Sequence, residues 1–370
     1  MIAHVSTVHP RNDTRIFLKE IKSISKKFPN EEIYFLVADG LGNSMKGNIF
    51  IVDFGLPKNR FSRFILKQFR AYKFLNKLSP TLIHIHDPEL LIMSWALNKS
   101  GNKVIYDAHE DYRIDILSRE WIPGFLKRIT GRIFGLLEDK IIEGMSGVVS
   151  ATPSINERMK KSSENSIVVN NYPLSNEFSG IPCKNKIHGP LVICYVGAIA
   201  EERGLTEIVN SLTSFNNNVI LELGGTFSDP SYEKYLKSKA GWECVKYHGQ
   251  LSRDEMKKLF TKSSIGIVTY HPIESHLKAQ PNKLFDYLSA GLPVLCSNFE
   301  HWKTLFLNAD FIYYSDPKDI QSIKNGIKHF IANANRLKSL GENGRNFVQN
   351  NYSWESEEKK LINFYSKVIS

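Results

Sequence analysis

Three short stretches place histidine and acidic residues directly after apolar runs: VSTVHPRNDTR, IHIHDPELL and VIYDAHEDYR. Each apolar run has the length and composition of a buried strand, so a parallel sheet would collect the polar residues that follow on one rim. That rim would carry His9, Asp13 and Arg15 from the first stretch, His86 and Asp87 from the second, and His109, Glu110 and Asp111 from the third. Imidazoles beside carboxylates can orient hydroxyl groups or move protons. Two of the acids fit a structural role equally well. Asp87 precedes Pro88 and Glu89, a helix N-cap signature, and Asp13 can cap the next helix. His109 has no such role open to it, since it follows a strand and leads into a polar segment.

Two further stretches suit an anionic ligand. In YHPIESHLKAQPNKLFDYLSAGLPVLCS a polar loop runs through Pro281 into a helix predicted over Asn282–Ser289, which Gly291 ends. The free N–H groups at such a helix start favour phosphate or sugar oxygens, and Asp286, one turn in, can accept hydrogen bonds from a vicinal diol. The same spacing also fits solvated Asn282 and Asp286 and a surface Lys283. In YVGAIAEERGLTEIV the strand is followed by Gly197, a short loop and Arg203, whose forked guanidinium can clamp a diphosphate. Arg203 fits a surface ion pair with Glu201 or Glu207 as well. Gly224-Gly225 reads as a tight turn. GxSxG, HExxH and P-loop patterns are absent.

The elements that would hold these residues alternate along the chain as short strands and amphipathic helices, the pattern of parallel α/β architecture. At roughly 150 residues per domain, 370 residues make two domains. Six strands are predicted in each half: Ile2–Ser6, Ile33–Val37, Ile49–Val52, Leu82–His86, Val104–Asp107 and Gly147–Ala151, then Leu191–Val196, Val219–Leu223, Cys244–His248, Ile265–Thr269, Pro293–Cys296 and Phe311–Tyr314. The expected division is an N-terminal domain over 1–170, a C-terminal domain over 171–352, and a last helix over 353–370 with Ser353 as N-cap.

Net charge is +10, of which residues 1–170 hold +7, and a surplus of that size points to an anionic partner. The most basic segment, Lys58 to Lys77, has no acid. At helical spacing Arg63, Lys67, Arg70 and Lys77 share one face, and Phe61, Ile65, Tyr72 and Leu75 another. Cys183, Cys194, Cys244 and Cys296 lack zinc or disulfide spacing, as expected of a reducing compartment. No secretory leader or membrane-spanning run is expected.

Taken in order, HPRNDTRIFLKE, HIHDPELL, YDAHED, NNYP, YVGAIAEERGL, PNKLFDYLSAGLPV and the YSWE helix resemble the family 4 glycosyltransferases of GT-B fold, of the bacterial polysaccharide-assembly kind. The likeness covers nearly the whole chain. It implies two doubly wound Rossmann-like domains facing across a cleft, with the C-terminal helix returning toward the N-terminal domain. It also implies transfer of a sugar from a UDP- or GDP-sugar with retention of configuration, without metal or cofactor. By this resemblance the donor site comprises Gly197, Arg203, Gln280, Asn282, Lys283 and Asp286, with Arg203 on the diphosphate and Asp286 on the ribose. His109 falls near the donor sugar and reacting centre, so His109 and Arg203 are the expected catalytic pair. Acceptor binding falls to His9, Asp13, Arg15, His86 and Glu110. Three positions depart from the family pattern: Lys278 stands for its first acid, Asp286 for its usual Glu, and Ala198 for its first diphosphate Arg.

The expected acceptor is a lipid-linked oligosaccharide in surface polysaccharide synthesis, met at the cytoplasmic face of the membrane. Arg63, Lys67 and Arg70, and the stretch WIPGFLKRITGRIFGLL with Lys127, Arg128 and Arg132, would lie on anionic lipid. A packed helix with solvated cations fits both stretches as well. A nucleotide-sugar 2-epimerase sharing the fold remains an alternative. Nucleic-acid binding has only the net charge in its favour, since no recognised module is present, and no nucleic-acid partner is expected.

Overall fold

A computed structural model describes residues 1–59, 62–118, 122–184 and 189–369. Arg60, Phe61 and Trp121 of the basic stretches lie outside the described residues. The chain divides into two compact units, Met1–Asn171 with Trp354–Ser370, and Tyr172–Ser353.

The first unit is built on an eight-stranded sheet of β1 (Ile2–Val5), β2 (Ile33–Val37), β3 (Ser44–Lys46), β4 (Ile49–Asp53), β5 (Leu82–Ile85), β6 (Val104–Ala108), β7 (Gly147–Ser150) and β8 (Ser166–Val168), in the order β3-β4-β2-β1-β5-β6-β7-β8. All pairings are parallel except β3 with β4. The near-continuous Val/Ile/Leu runs of the central strands reflect burial on both faces. The unit therefore has two strands more than the six expected. β3 is a three-residue polar edge strand, exposed throughout, with no apolar alternation to announce it. β8 is three half-buried residues, too short and too little enclosed to stand out as an apolar run. The last helix, Trp354–Ile369, packs in this unit: Trp354 Nε1 donates to Ser23 Oγ at 3.0 Å, and Glu357 accepts from the Asn170 backbone at 2.8 Å.

The second unit holds six parallel strands, β9 (Leu191–Val196), β10 (Val219–Gly224), β11 (Val245–Gly249), β12 (Ile265–Val268), β13 (Val294–Ser297) and β14 (Ile312–Ser315), in the order β11-β10-β9-β12-β13-β14. Each expected strand is present within one residue of its predicted ends. Its core runs from Ile193 and Leu221 on the sheet to Phe285, Leu288 and Trp302 on the covering helices, all 1% exposed or less. Burial of each large apolar side chain contributes about 1.5–3 kcal/mol.

Strand order reverses beside β1 in the first sheet and beside β9 in the second. At such points adjacent loops diverge and leave a crevice beyond the carboxyl ends of the strands. The crevice lies between the loops after β1 and β5 in one unit, and between those after β9 and β12 in the other.

Candidate active site

In the first unit the crevice rests on a buried polar cluster. Arg15, on the wide helical turn Thr14–Ile21, is 4% exposed; its Nη2 meets Asp107 Oδ1 at 2.8 Å and its Nε meets Glu20 Oε1 at 3.0 Å. Asp107, at the end of β6, also receives His86 Nδ1 at 3.2 Å and His109 Nε2 at 2.6 Å. Behind His86 the contacts continue inward, His86 Nε2 to His4 Nδ1 at 2.9 Å, His4 Nε2 to the Tyr365 hydroxyl at 3.3 Å, and that hydroxyl to His84 Nδ1 at 2.5 Å. Burial holds His4, His84 and His86 below the usual imidazole range, so they sit there uncharged. Burial would raise Asp107, but Arg15 and then His109 hold it well below the carboxylate range; burial and then Asp107 push Glu20 well above it. The cluster thus sets Arg15 against Asp107, and burial together with Asp107 disfavours a second negative charge on Glu20. His4, Glu20, His84 and His86 lie within 4.8 Å of one another, as do His86, Asp107 and His109, and either group could in principle hold a metal ion. An ion in the first would have to displace Tyr365 from His84 and sit beside the Arg15 guanidinium.

Only the outer layer of this cluster meets solvent. His9 and His109 stand 5.3 Å apart by ring centroid, both half-buried. His9 Nδ1 contacts Asp13 at 3.2 Å and its Nε2 lies 3.5 Å from Asp87. Burial opposes charge on His9, yet the Asp13 hydrogen bond and Asp87 raise it above the ordinary value; burial likewise opposes ionisation of Asp13, which His9 and the Ile16 N–H hold down to about 2. Asp13 also caps its helix through the Arg15 and Ile16 N–H groups.

Three expectations need correction here. Arg15 and His86 are enclosed, so they support the rim from beneath instead of offering atoms to an acceptor. Asp87 precedes a short helix but does not cap it: its carboxylate accepts from Ser6 Oγ at 2.9 Å and from the Thr7 and Val8 N–H groups, tying down the loop after β1. The basic face also differs. Lys67 is buried, its Nζ donating to the Phe54 carbonyl, and Arg63 pairs with Glu89 at 3.0 Å, leaving Arg70 exposed. The wide turns of Ser62–Lys67 shift the phase that a uniform 3.6-residue spacing assumes, so Ala71 and Leu75 face inward while Phe64, Ile65, Leu66 and Phe69 face out. Glu110 is exposed.

The helix Gly124–Ile142 carries a longer apolar stripe into solvent. Phe125 is 79% exposed and Leu136 72%, with Ile129 and Ile133 between them at helical spacing. Beside it, Ile114, Leu117 and Leu136 line a groove of about 530 Å³ together with Arg113, Arg128 and Arg132. Among the described residues no helix is long and apolar enough to cross a membrane.

In the second unit a cavity of about 320 Å³ opens at the β9 end, lined by Gly197, Ala198, Gly225, Thr226, Gln250, Leu251, Asn282, Lys283 and Asp286 among others. Gly197 has a φ of +137°, and a Cβ there would overlap the Lys283 side chain, which crosses this glycine to reach the Tyr270 hydroxyl at 2.7 Å. Gly204 has a φ of +74°; a Cβ there would strike the Thr269 carbonyl, so glycine lets the Arg203 turn close on the end of β12. Arg203 stacks on the Tyr270 ring at 4.3 Å to the centroid, with its Nε buried and unpartnered. Among the described residues neither Arg203 nor Lys283 has a carboxylate within 4.0 Å.

Of the expected donor residues, the cavity brings together Gly197, Asn282, Lys283 and Asp286. Arg203 and Gln280 lie outside the lining: Arg203 stacks on Tyr270, whose hydroxyl accepts from the lining residue Lys283, and Gln280 is 3.4 Å from the Tyr172 hydroxyl. Asp286 Oδ2 is 3.3 Å from Arg253, which also grips Glu177 at 2.6 Å. Arg253, Tyr270 and Gln250 escaped the sequence reading, and so did Gly225, taken only as a turn.

Residues 181–347 match the family of glycosyl transferases group 1. The chain is 20% identical over 195 residues to an uncharacterized glycosyltransferase of Methanocaldococcus jannaschii, an alignment that takes in 50% of this chain and 48% of that protein, so about half of the relative's length is spanned. Among solved structures, sucrose-phosphate synthase from Thermosynechococcus elongatus is similar with a TM-score of 0.73 at 14% identity, covering 99% of this chain and 98% of that one. Anabaena HepE in complex with UDP-glucose gives 0.72 at 14% identity, covering 99% of each chain. The UDP-forming α,α-trehalose-phosphate synthase from Burkholderia xenovorans, in complex with glucose-6-phosphate, gives 0.67 at 13% identity, covering 100% and 99%. The two parallel-sheet Rossmann-like domains have the fold of GT-B glycosyltransferases.

Proposed function

We propose that the protein is a retaining glycosyltransferase that moves a sugar from a nucleotide-sugar donor to a lipid-linked saccharide. The observation that carries the reading is the pair Arg203 and Lys283: two cations without carboxylate partners, beside a cavity at the strand-order reversal of a glycosyl transferases group 1 domain. Unneutralised, partly buried cations call for an anion, and a diphosphate suits two of them. HepE in complex with UDP-glucose supports a nucleotide-sugar donor.

In this reading Arg203 and Lys283 take the diphosphate. The N–H groups at the start of Asn282–Ser289, which has no side-chain cap, add their dipole. Asp286, oriented by Arg253, accepts from the ribose hydroxyls. When the bond from the anomeric carbon to the β-phosphate oxygen breaks, its electron pair stays on the phosphate. One well-placed donor to such developing charge is worth about 3–4 kcal/mol. The acceptor hydroxyl attacks from the face the phosphate leaves and passes its proton to that phosphate, which retains configuration without a metal ion. His109, braced by Asp107, orients the sugar hydroxyls, while His9, Asp13 and Glu110 meet the acceptor.

The lipid end of the acceptor is argued from the helix Gly124–Ile142. An exposed apolar stripe flanked by Lys127, Arg128 and Arg132 suits the surface of an anionic bilayer, with Arg70 as a further contact. This surface would place the protein at the cytoplasmic membrane face.

Incubation with a panel of nucleotide sugars and a lipid extract tests the reading. The expected result is nucleoside diphosphate release that depends on the extract and a product whose anomeric coupling matches the donor. Acceptor-independent exchange at the sugar C2 would instead identify an epimerase and overturn it.

A further inference from the structure

Tyr270 touches both Lys283, which lines the donor cavity, and Arg203, which stands behind it, and has no part in the mechanism above. Its ring is 2% exposed and fixed on every side. Trp302 packs edge-on at 5.9 Å, the His276 ring lies 4.8 Å away, and Ser297 Oγ donates to its carbonyl at 2.8 Å. His276 adds no charge, since burial and then Arg203 bring it down to about 4. Against this fixed ring the Arg203 guanidinium stacks at 4.3 Å from the centroid, and Lys283 Nζ donates to the hydroxyl at 2.7 Å. Lys283 also lies 4.9 Å from the Tyr195 ring, whose hydroxyl is engaged with the Ala198 carbonyl at 2.7 Å.

Two like charges held on one small group repel each other, and an electron-rich group between them offsets that repulsion. A phenol supplies that twice over, through the π face for the guanidinium and the oxygen lone pairs for the ammonium. Burial alone would raise the Tyr270 hydroxyl; Lys283 and then Arg203 outweigh it and lower it, the signature of a phenol placed between two uncompensated cations. A long lysine side chain loses up to about 2 kcal/mol of rotamer freedom when fixed, and here the phenol fixes it before any ligand arrives.

We propose that Tyr270 is the positioning residue that spaces Arg203 and Lys283 for two linked phosphates, and so makes the pocket discriminate a nucleoside diphosphate from a monophosphate. The inference rests on the donor-site reading above. With both cations prealigned, a diphosphate engages each with one phosphate; a monophosphate reaches only one and gains little from the spacing. In the apo protein the lysine keeps two N–H donors for the incoming oxygens while the third stays on the phenol. The Ala198 position, where the resemblance leads one to expect an arginine, lacks a cation, which makes the spacing of the remaining two decisive.

Calorimetric titration with UDP, UMP, GDP and GMP tests this on the intact protein and on the variants Tyr270→Phe and Tyr270→Leu. Tyr270→Phe keeps the ring under Arg203 and removes the acceptor of Lys283; Tyr270→Leu removes both. The wild type should bind its preferred diphosphate at least 10-fold more tightly than the matching monophosphate. Tyr270→Phe should lose about 10-fold in diphosphate affinity, with monophosphate affinity changed less than 2-fold, and Tyr270→Leu should lose more. Equal losses for both nucleotides would mean that Tyr270 only supports the pocket, and an unchanged preference in Tyr270→Phe would equally overturn the inference. If the wild type binds neither UDP nor GDP, the donor-site reading itself falls.

Discussion

Two charged clusters, one in each unit, are balanced in opposite ways. In the first, Arg15 meets Asp107 and Glu20, Asp107 meets two histidines, and the inner histidines meet each other and Tyr365. In the second, Arg203 and Lys283 lean on an aromatic ring and a phenol, and among the described residues no carboxylate answers either. A closed network holds itself, and its loss should be read in stability. An unanswered pair awaits an anion, and its loss should be read in binding and rate.

The largest effect should come from breaking the closed network. Replacing Arg15 by Ala leaves Asp107 buried without its cation, which typically costs about 3–5 kcal/mol. Urea unfolding should register that loss, whereas a change below 1 kcal/mol would mean the network is open to water. Next in size, Arg203→Ala should lower the transfer rate by about 10²–10³-fold, the usual cost of one such donor. Its unfolding midpoint should stay near wild type, and a large fall in stability would make Arg203 a structural residue like Arg15.

A third test separates the two basic stretches. Ile133→Glu with Leu136→Glu should abolish co-sedimentation with anionic vesicles at low salt, because it puts charge into the exposed stripe. Lys67→Glu should instead destabilise the fold, since its ammonium is buried against the Phe54 carbonyl. Full sedimentation of the double variant would remove the membrane surface.

The smallest effect concerns the exposed edge of the first unit. His9 is raised from 6.5, so its contribution is complete below that pH and fades as pH rises through its folded value; Asp13, held down to about 2 from 3.8, contributes above 3.8 and fades as pH falls toward 2. The melting-temperature gap between wild type and His9→Gln should therefore be wider at pH 5.5 than at pH 8.5. A gap that does not change with pH would show that His9 is not the charged partner.

What was legible in the sequence follows the same physics. Strands buried on both faces announce themselves as apolar runs, so every strand of the second sheet and six of the first could be read, whereas β3 is short, polar and exposed. The strand-end loops singled out His9, His109 and Asp286 as candidates because polar residues there follow from topology, whereas Lys283 became a donor candidate only through the family resemblance. Lys67 was misplaced because a wide helical turn breaks the assumed period. Arg15 and His86 looked like rim residues because sequence shows which end of a strand a residue occupies but not how deep it lies. Tyr270 and Arg253 were missed for related reasons. An aromatic after a strand reads as core, and Arg253 meets Asp286 from 33 residues away.

The central claim is that the unanswered cations of the second unit exist for a nucleotide sugar. The most direct measurement is the melting temperature of the wild type and of the Arg203→Ala, Lys283→Ala double variant across a panel of UDP- and GDP-sugars. The account predicts that at least one stabilises the wild type, by about 2.7 kcal/mol at 100 times its dissociation constant, and that the double variant loses this shift. No shift with any of them, or an equal shift in the double variant, would contradict it.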